Sequence, residues 1–317
     1  MSTASRKQFF IRAARPARMR AARSADEEYG RPAEPSWRDI DWAAHTRQIE
    51  VAGRRVNVIT LGAGEGPPVV FTHGLAGCWQ NWLENLPAVA EHRRVVALDL
   101  PGFGESEMPA GDISITNYAA CVEELCQRLE LETVAVVGNS MGGFTAAEMA
   151  IRHPDRVERL ALVDAAGISI NDLRRQPVAT LARLATVNAG SATRERAVLL
   201  RPRLRHLAFR AVMRHPTRMP LDLLAAQGTG AAKPGFQLAL NALVTYDFRD
   251  RLPEIGCPTL IVHGREDGLV PVADADDFNR LIPQSRLLLL DETGHVPMME
   301  RPQTFNRELL AFLAEQG

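Results

Sequence analysis

Cysteine is scarce in this 317-residue chain. The four present, Cys78, Cys121, Cys126 and Cys257, form no C-x-x-C pair and stand at no zinc-ligand spacing with a histidine. In a chain long enough to bury its own core, that pattern argues against a disulfide scaffold and for reduced thiols. Long apolar runs are missing too. None approaches the roughly 18 residues of a bilayer span, and near the N-terminus only Phe9-Phe10-Ile11 stands where a secretory signal has a longer apolar core, so a cytoplasmic protein is expected. No fixed-period repeat is visible. What is there is ordinary: 46% hydrophobic and 24% charged residues, a globular composition that argues against disordered, collagen-like and membrane-embedded classes. The length allows one large or two modest domains.

A net charge of −1 conceals segregation. Residues 1–25 carry seven Arg and Lys and no acid; residues 169–246 carry eleven Arg and Lys233 against Asp172, Glu195 and Asp222, leaving −17 on the rest. An Arg- and Ala-rich tail without a core is expected to be disordered, so residues 1–36 are set apart as a basic, flexible extension. A transit peptide is the weaker alternative, since the tail is Arg-rich and acid-poor without a clear amphipathic period. No nucleic-acid partner is expected, and attachment to a membrane surface through the tail and residues 169–246 is the less favoured reading.

From Trp37 the pattern becomes that of a folded domain. Arg47 to Ala52 and Val56 to Leu61 alternate across Gly53 as a hairpin. Short apolar, β-branched runs follow at 68–72, 95–98, 133–137, 157–163, 259–262 and 287–290, separated by amphipathic stretches at 115–129, 141–153 and 303–314. Short buried strands alternating with helices predict an α/β protein with a mainly parallel sheet covered on both faces. The alternation stops after Asp164. Residues 168–245 show helical stretches without a strand and read as an insertion, so the α/β domain is expected over 37–167 and 246–317.

The motif that carries chemistry is Gly138-Asn139-Ser140-Met141-Gly142-Gly143, a G-x-S-x-G directly after a strand and before a helix. A serine on so sharp a turn needs small neighbours, and the turn lifts its hydroxyl clear of the sheet edge. Serine is a weak nucleophile at neutral pH, so a base within hydrogen-bond reach and a third group that orients it are required. His295, in the loop Asp291 to Pro297 after the last strand, is the best placed of eight histidines; His263 ends a strand and reads as a structural one. For the third group, Asp267 in Gly264-Arg265-Glu266-Asp267-Gly268 follows a strand and completes the order Ser, Asp, His; Asp164, at the end of 157–163, is its rival. His73-Gly74-Leu75-Ala76-Gly77 closes the third strand, where a backbone N–H can face a developing oxyanion, and Leu75 and Met141 are the expected donors. Gly74, Ala76 and Val296 are expected against substrate. Asp99 to Ser106 lacks G-x-G-x-x-G and reads as a structural loop, so no cofactor and no metal is expected.

Together, the H-G turn, the Asp99 to Ser106 loop, G-N-S-M-G-G, G-R-E-D-G and G-H-V-P over residues 47–315 resemble the α/β-hydrolase fold family. The resemblance implies Ser140 as nucleophile, His295 as base, Asp267 as its partner, and residues 168–245 as a lid. Family members that open epoxides or displace halide carry aspartate at the elbow, so Ser140 argues against those activities. G-N-S-M-G-G is similar to the elbow of the meta-cleavage-product hydrolases, which split carbon–carbon bonds of ring-fission dienones. Those enzymes carry H-G-x-G-P-G where this chain has H-G-L-A-G, and tryptophan where it has Val296. The expected function is therefore hydrolysis of small to medium, hydrophobic carboxylic esters, with carbon–carbon hydrolysis second and a non-catalytic ligand-binding protein as the reading from another class. In the lid, Leu204, Leu207, Ala208, Ala211 and Val212 are expected to pack on the body, leaving the arginines between them in water, and Leu181, Leu184, Val187, Phe209, Met213 and Leu223 to favour an apolar acyl group.

Overall fold

The computed structural model describes residues 26–169, 192, 195–230 and 232–315. The sheet begins with a hairpin: β1 (Thr46–Val51) and β2 (Arg54–Leu61) pair antiparallel across Ala52 and Gly53, whose φ of 51° and 70° match the strand twist. β3 (Val69–Thr72), β4 (Val95–Leu98), β5 (Val134–Asn139), β6 (Val157–Val163), β7 (Thr259–Gly264) and β8 (Ser285–Leu290) run parallel, and β2 joins them antiparallel to β4. The order is β1-β2-β4-β3-β5-β6-β7-β8.

Every position of β3, β4, β5 and β7 is buried, which is why they read as continuous apolar runs rather than alternating ones. Alternate residues nevertheless serve different layers. Val70, Val136 and Leu162 join a core with α1 (Ile115–Arg128) and α2 (Met141–Arg152); their neighbours Phe71, Val137 and Val163 join the opposite core with Trp82, Leu86 and Phe305. α1 starts where the Ser114 hydroxyl accepts from Asn117 N–H at 3.0 Å, and buries Tyr118, Val122 and Leu125.

Between β6 and β7 the described residues form only helices, chiefly α3 (Arg196–Leu200), α4 (Pro202–Phe209), α5 (Leu221–Ala226) and α6 (Phe236–Thr245). This segment lies on loops that follow strands. His295 N–H donates to Val212 O at 2.7 Å, Gly235 N–H donates to Gly102 O at 3.0 Å, and a Cβ on Gly230 would stand 2.5 Å from Gly77 O. α7 (Val272–Leu281) and α8 (Pro302–Ala314) complete the layers.

Two expectations need correction. Residues 26–36, assigned to the flexible extension, are folded onto the body: Tyr29 and Ala33 are each 2% exposed, because Glu300 and Glu84 accept hydrogen bonds from them. In α4, Leu204 and Leu207 face outward, and the inward positions belong to Arg205 and Phe209. Residues 1–25 and Leu181, Leu184 and Val187 lie outside the described residues. No helix among the described residues is long and apolar enough to cross a membrane.

Candidate active site

Ser140 sits between β5 and α2 at φ 55°, ψ −115°, a backbone state costing about 1–3 kcal/mol for a non-glycine residue. Its surroundings over-determine it: its N–H donates to Val163 O at 3.0 Å, and its carbonyl accepts from Phe144 and Ala166 N–H at 3.1 Å each. The flanking glycines are a matter of space. A Cβ on Gly138 would stand 2.3 Å from Gly142 O, and one on Gly142 would stand 2.3 Å from Thr72 O.

His295 is buried in the loop after β8, and its ring Nδ1 lies 2.7 Å from Asp267 Oδ2. A carboxylate there requires the hydrogen on Nδ1, leaving Nε2 free to take a proton. The other Asp267 oxygen accepts from Leu269 N–H at 2.7 Å and Val270 N–H at 3.0 Å. Burial alone would raise this carboxyl; the adjoining His295, its hydrogen bond, His263 and the loop amides hold it below the ordinary aspartate range, so it is ionised. His295 is also tied to the elbow through the backbone, because Asn139 Nδ2 donates at 3.1 Å to both His295 O and Val163 O. Among the described residues the Ser140 hydroxyl has no hydrogen-bond partner.

The rival carboxyl is close but differently employed. Asp164, Asp267 and His295 place ligand atoms within 4.8 Å of one another. Asp164 Oδ1 accepts from Gly264 N–H at 3.0 Å and lies 3.6 Å from His263 Nε2, while Oδ2 has no partner. Burial, then the charge of Asp267, pushes Asp164 well above the carboxylate range, so it keeps its proton. His263 is buried and gives its Nε2 hydrogen to Val270 O at 3.2 Å, and burial lowers its pKa. With Asp164 and His263 neutral, Asp267 is the charged member of these three residues. Were a metal to bind, these three residues are the donor set, but the Asp267–His295 hydrogen bond already uses two of them.

Leu75 N–H and Met141 N–H have no protein acceptor among the described residues, as free oxyanion donors require. Gly74 brings its loop against the elbow: a Cβ there would be 3.1 Å from Ser140 Cβ. Ala76 holds φ 59° in the turn closed by Gly77 N–H to Gly74 O at 3.0 Å. The turn is anchored by His73, whose Nδ1 donates to Gly74 O at 2.8 Å while Nε2 accepts from Leu100 N–H at 2.9 Å. Asp99 accepts from Trp79 N–H, Asn57 Nδ2 and Glu105 N–H, so the loop after it is held by structure.

One group of residues escaped the sequence reading. Glu300, fully buried, accepts from Gly294 N–H at 3.0 Å and Val296 N–H at 3.3 Å, on either side of His295, and from Arg214 N–H at 2.8 Å. Tyr29 OH donates to Glu300 and accepts from His215 N–H at 2.8 Å. Val296 is thus buried and partnered by Glu300. Glu300 follows His295 by five residues and so had a local clue; Tyr29, 271 residues from Glu300, had none.

A serine held on a strained strand-to-helix turn, beside a buried histidine–aspartate pair at one edge of a mainly parallel eight-stranded sheet, has the architecture of the α/β hydrolases. Residues 67–302 match the family model described as alpha/beta hydrolase fold, and the chain belongs to that family of enzymes. It is 29% identical over 286 residues to 2-hydroxy-6-oxo-2,4-heptadienoate hydrolase of Pseudomonas putida, covering 85% of this chain and 96% of that one. It is 31% identical over 272 residues to pimeloyl-[acyl-carrier protein] methyl ester esterase of Vibrio cholerae, covering 79% and 95%. The solved meta-cleavage product hydrolase of Pseudomonas fluorescens superposes with a TM-score of 0.65 at 26% identity, covering 84% and 97%. Relatives at nearly equal identity thus include both a dienoate hydrolase and a methyl ester esterase.

Proposed function

We propose that the protein hydrolyses carboxylic esters of small to medium, hydrophobic substrates through an acyl-enzyme. Ser140 Oγ attacks the ester carbonyl as its proton passes to His295 Nε2. Leu75 and Met141 N–H take the negative charge that forms on the carbonyl oxygen, and Asp267 stabilises the imidazolium. The histidine returns the proton to the leaving alcohol, and water, deprotonated by the same histidine, releases the acid and restores Ser140. The described part of residues 168–245 acts as the lid over this site, with Gly74, Ala76 and Val296 beside the substrate. The observation that carries the reading is the 2.7 Å His295–Asp267 contact beside the strained Ser140 turn.

Carbon–carbon hydrolysis of ring-fission dienones is the second reading, supported by the G-N-S-M-G-G elbow and the dienoate hydrolase relative. Hydrolysis of p-nitrophenyl esters of increasing acyl length, with Ser140→Ala beside the parent, separates the two. Turnover lost in the variant supports a serine esterase and sizes the pocket. Silence with esters and turnover of a dienone would transfer the assignment. No turnover of either, with no labelling by a fluorophosphonate, would leave a ligand-binding protein.

A further inference from the structure

The helices α3 and α4 bury Leu199 and Phe209, yet they also bury one arginine and leave three leucines exposed. Arg205 is buried and spent on carbonyls, donating to Leu199 O at 2.9 Å and Thr217 O at 2.8 Å. Leucines take the outside: Leu200 is 56% exposed, Leu204 39% and Leu207 67%. Among the described residues only five large apolar side chains are exposed, so three within eight positions make a patch rather than scatter. Leu204 and Leu207 are three residues apart on α4 and share a face. Around them Arg196, Arg201, Arg203 and Arg210 are exposed and have no carboxylate partner among the described residues; Glu195 is the one acid from 195 to 210. Guanidinium groups without counter-ions, set around outward leucines, match a surface that offers anions at its rim and hydrocarbon beneath.

We propose that α3 and α4 form a docking surface for a bilayer bearing anionic phospholipid, with Leu200, Leu204 and Leu207 entering the acyl boundary and the four arginines meeting headgroup phosphates. A polyanion such as nucleic acid would use the arginines but leave the leucines in water, so the leucines decide between them. Attachment here would put the insertion, and the elbow it covers, at a lipid surface. Binding needs no turnover, so a silent ester assay leaves this inference intact.

The test is co-sedimentation of the full chain with vesicles of phosphatidylcholine alone and of phosphatidylcholine mixed with phosphatidylglycerol, at low and high salt. The parent should pellet with the mixed vesicles and not with phosphatidylcholine. Leu204→Gln/Leu207→Gln, which keeps every arginine and the basic residues 1–25 and adds no charge, should weaken that partitioning by roughly tenfold or more, since burying two leucines is worth at least that factor. Both positions are exposed, so ester turnover and thermal stability serve as folding controls. No pelleting of the parent, or equal pelleting of the variant, would overturn the inference, the latter assigning binding to charge alone. A parent that is dimeric in gel filtration and made monomeric by the same variant would assign the patch to a second copy of the chain instead.

Discussion

Tyr29→Phe removes one oxygen from a place where three parts of the chain meet. The phenol donates to the buried Glu300 carboxyl and accepts from His215 N–H, and its ring lies edge-on to His215 at 4.9 Å. The ring and its packing survive the substitution; both hydrogen bonds do not. A hydrogen bond to a charged acceptor is worth about 1.5–3 kcal/mol and a stranded buried N–H costs about 1–3 kcal/mol. Local relaxation recovers part of that, so a net loss of about 3 kcal/mol is expected. In a chain of this size the midpoint falls by roughly 1.5 °C per kcal/mol, giving a drop of about 4–5 °C at pH 7 in calorimetry. Activity at 25 °C should suffer less, because Gly294 and Val296 N–H still hold Glu300 beside His295: kcat falls by under about tenfold and KM stays put. In a double-mutant cycle with Glu300→Gln the losses should fall short of additive by about 1 kcal/mol or more. An unchanged midpoint, or strictly additive losses, would refute the clasp.

Asp267→Asn should lower kcat by about 10⁴-fold through the wrong histidine tautomer, whereas Asp164→Asn stays within a few-fold of the parent; steady-state ester kinetics decide, and the reverse pattern would make Asp164 the acid. Asp164 also has a stability signature. Its folded pKa is raised above the ordinary 3.8, so its favourable contribution is full below that pH and is lost as pH rises towards the folded value, where the unfolded chain ionises and the folded one does not. Asp164→Asn has nothing to ionise and should gain on the parent in thermal midpoint between pH 4 and pH 8; a gain that shrinks with pH contradicts the buried, protonated carboxyl. Gly142→Ala drives a Cβ to 2.3 Å from Thr72 O and 2.7 Å from His73 O. It should cost about 2–3 kcal/mol or more in urea unfolding, together with ester turnover, and a variant that matches the parent would show that the elbow has room.

Much of this protein is written locally. The apolar runs that became β3 to β8 lie within a few residues of the strand bounds, and for β3, β4, β5 and β7 the reason is that a strand buried on both faces needs no partner to show its character. The elbow was equally legible: Gly138 and Gly142 meet each other across four residues, so the motif carries its own steric reason. The histidine and aspartate could be named by chain order, yet choosing Asp267 over Asp164 on His295 Nδ1 took the register of β6 and β7, which sets both carboxyls at one edge and gives one the hydrogen bond and the other the proton. The insertion was misread at Leu204, Leu207 and Arg205, while Ala208 and Val212 do pack against the core. A helix with leucines at regular spacing and arginines between them has the same pattern whichever face is covered, and only its neighbours could turn Arg205 inward and Leu207 out. The clasp of Tyr29 on Glu300 had no sequence signal at all, since a tyrosine in a polar stretch carries no mark of an acceptor 271 residues away. Composition and spacing determined the layers and the strained turn that carries Ser140 because those depend on contacts between near neighbours. Tertiary structure decided which carboxyl bonds His295, what anchors its loop and which side of the insertion meets water, because those depend on groups that only folding brings within a few ångströms.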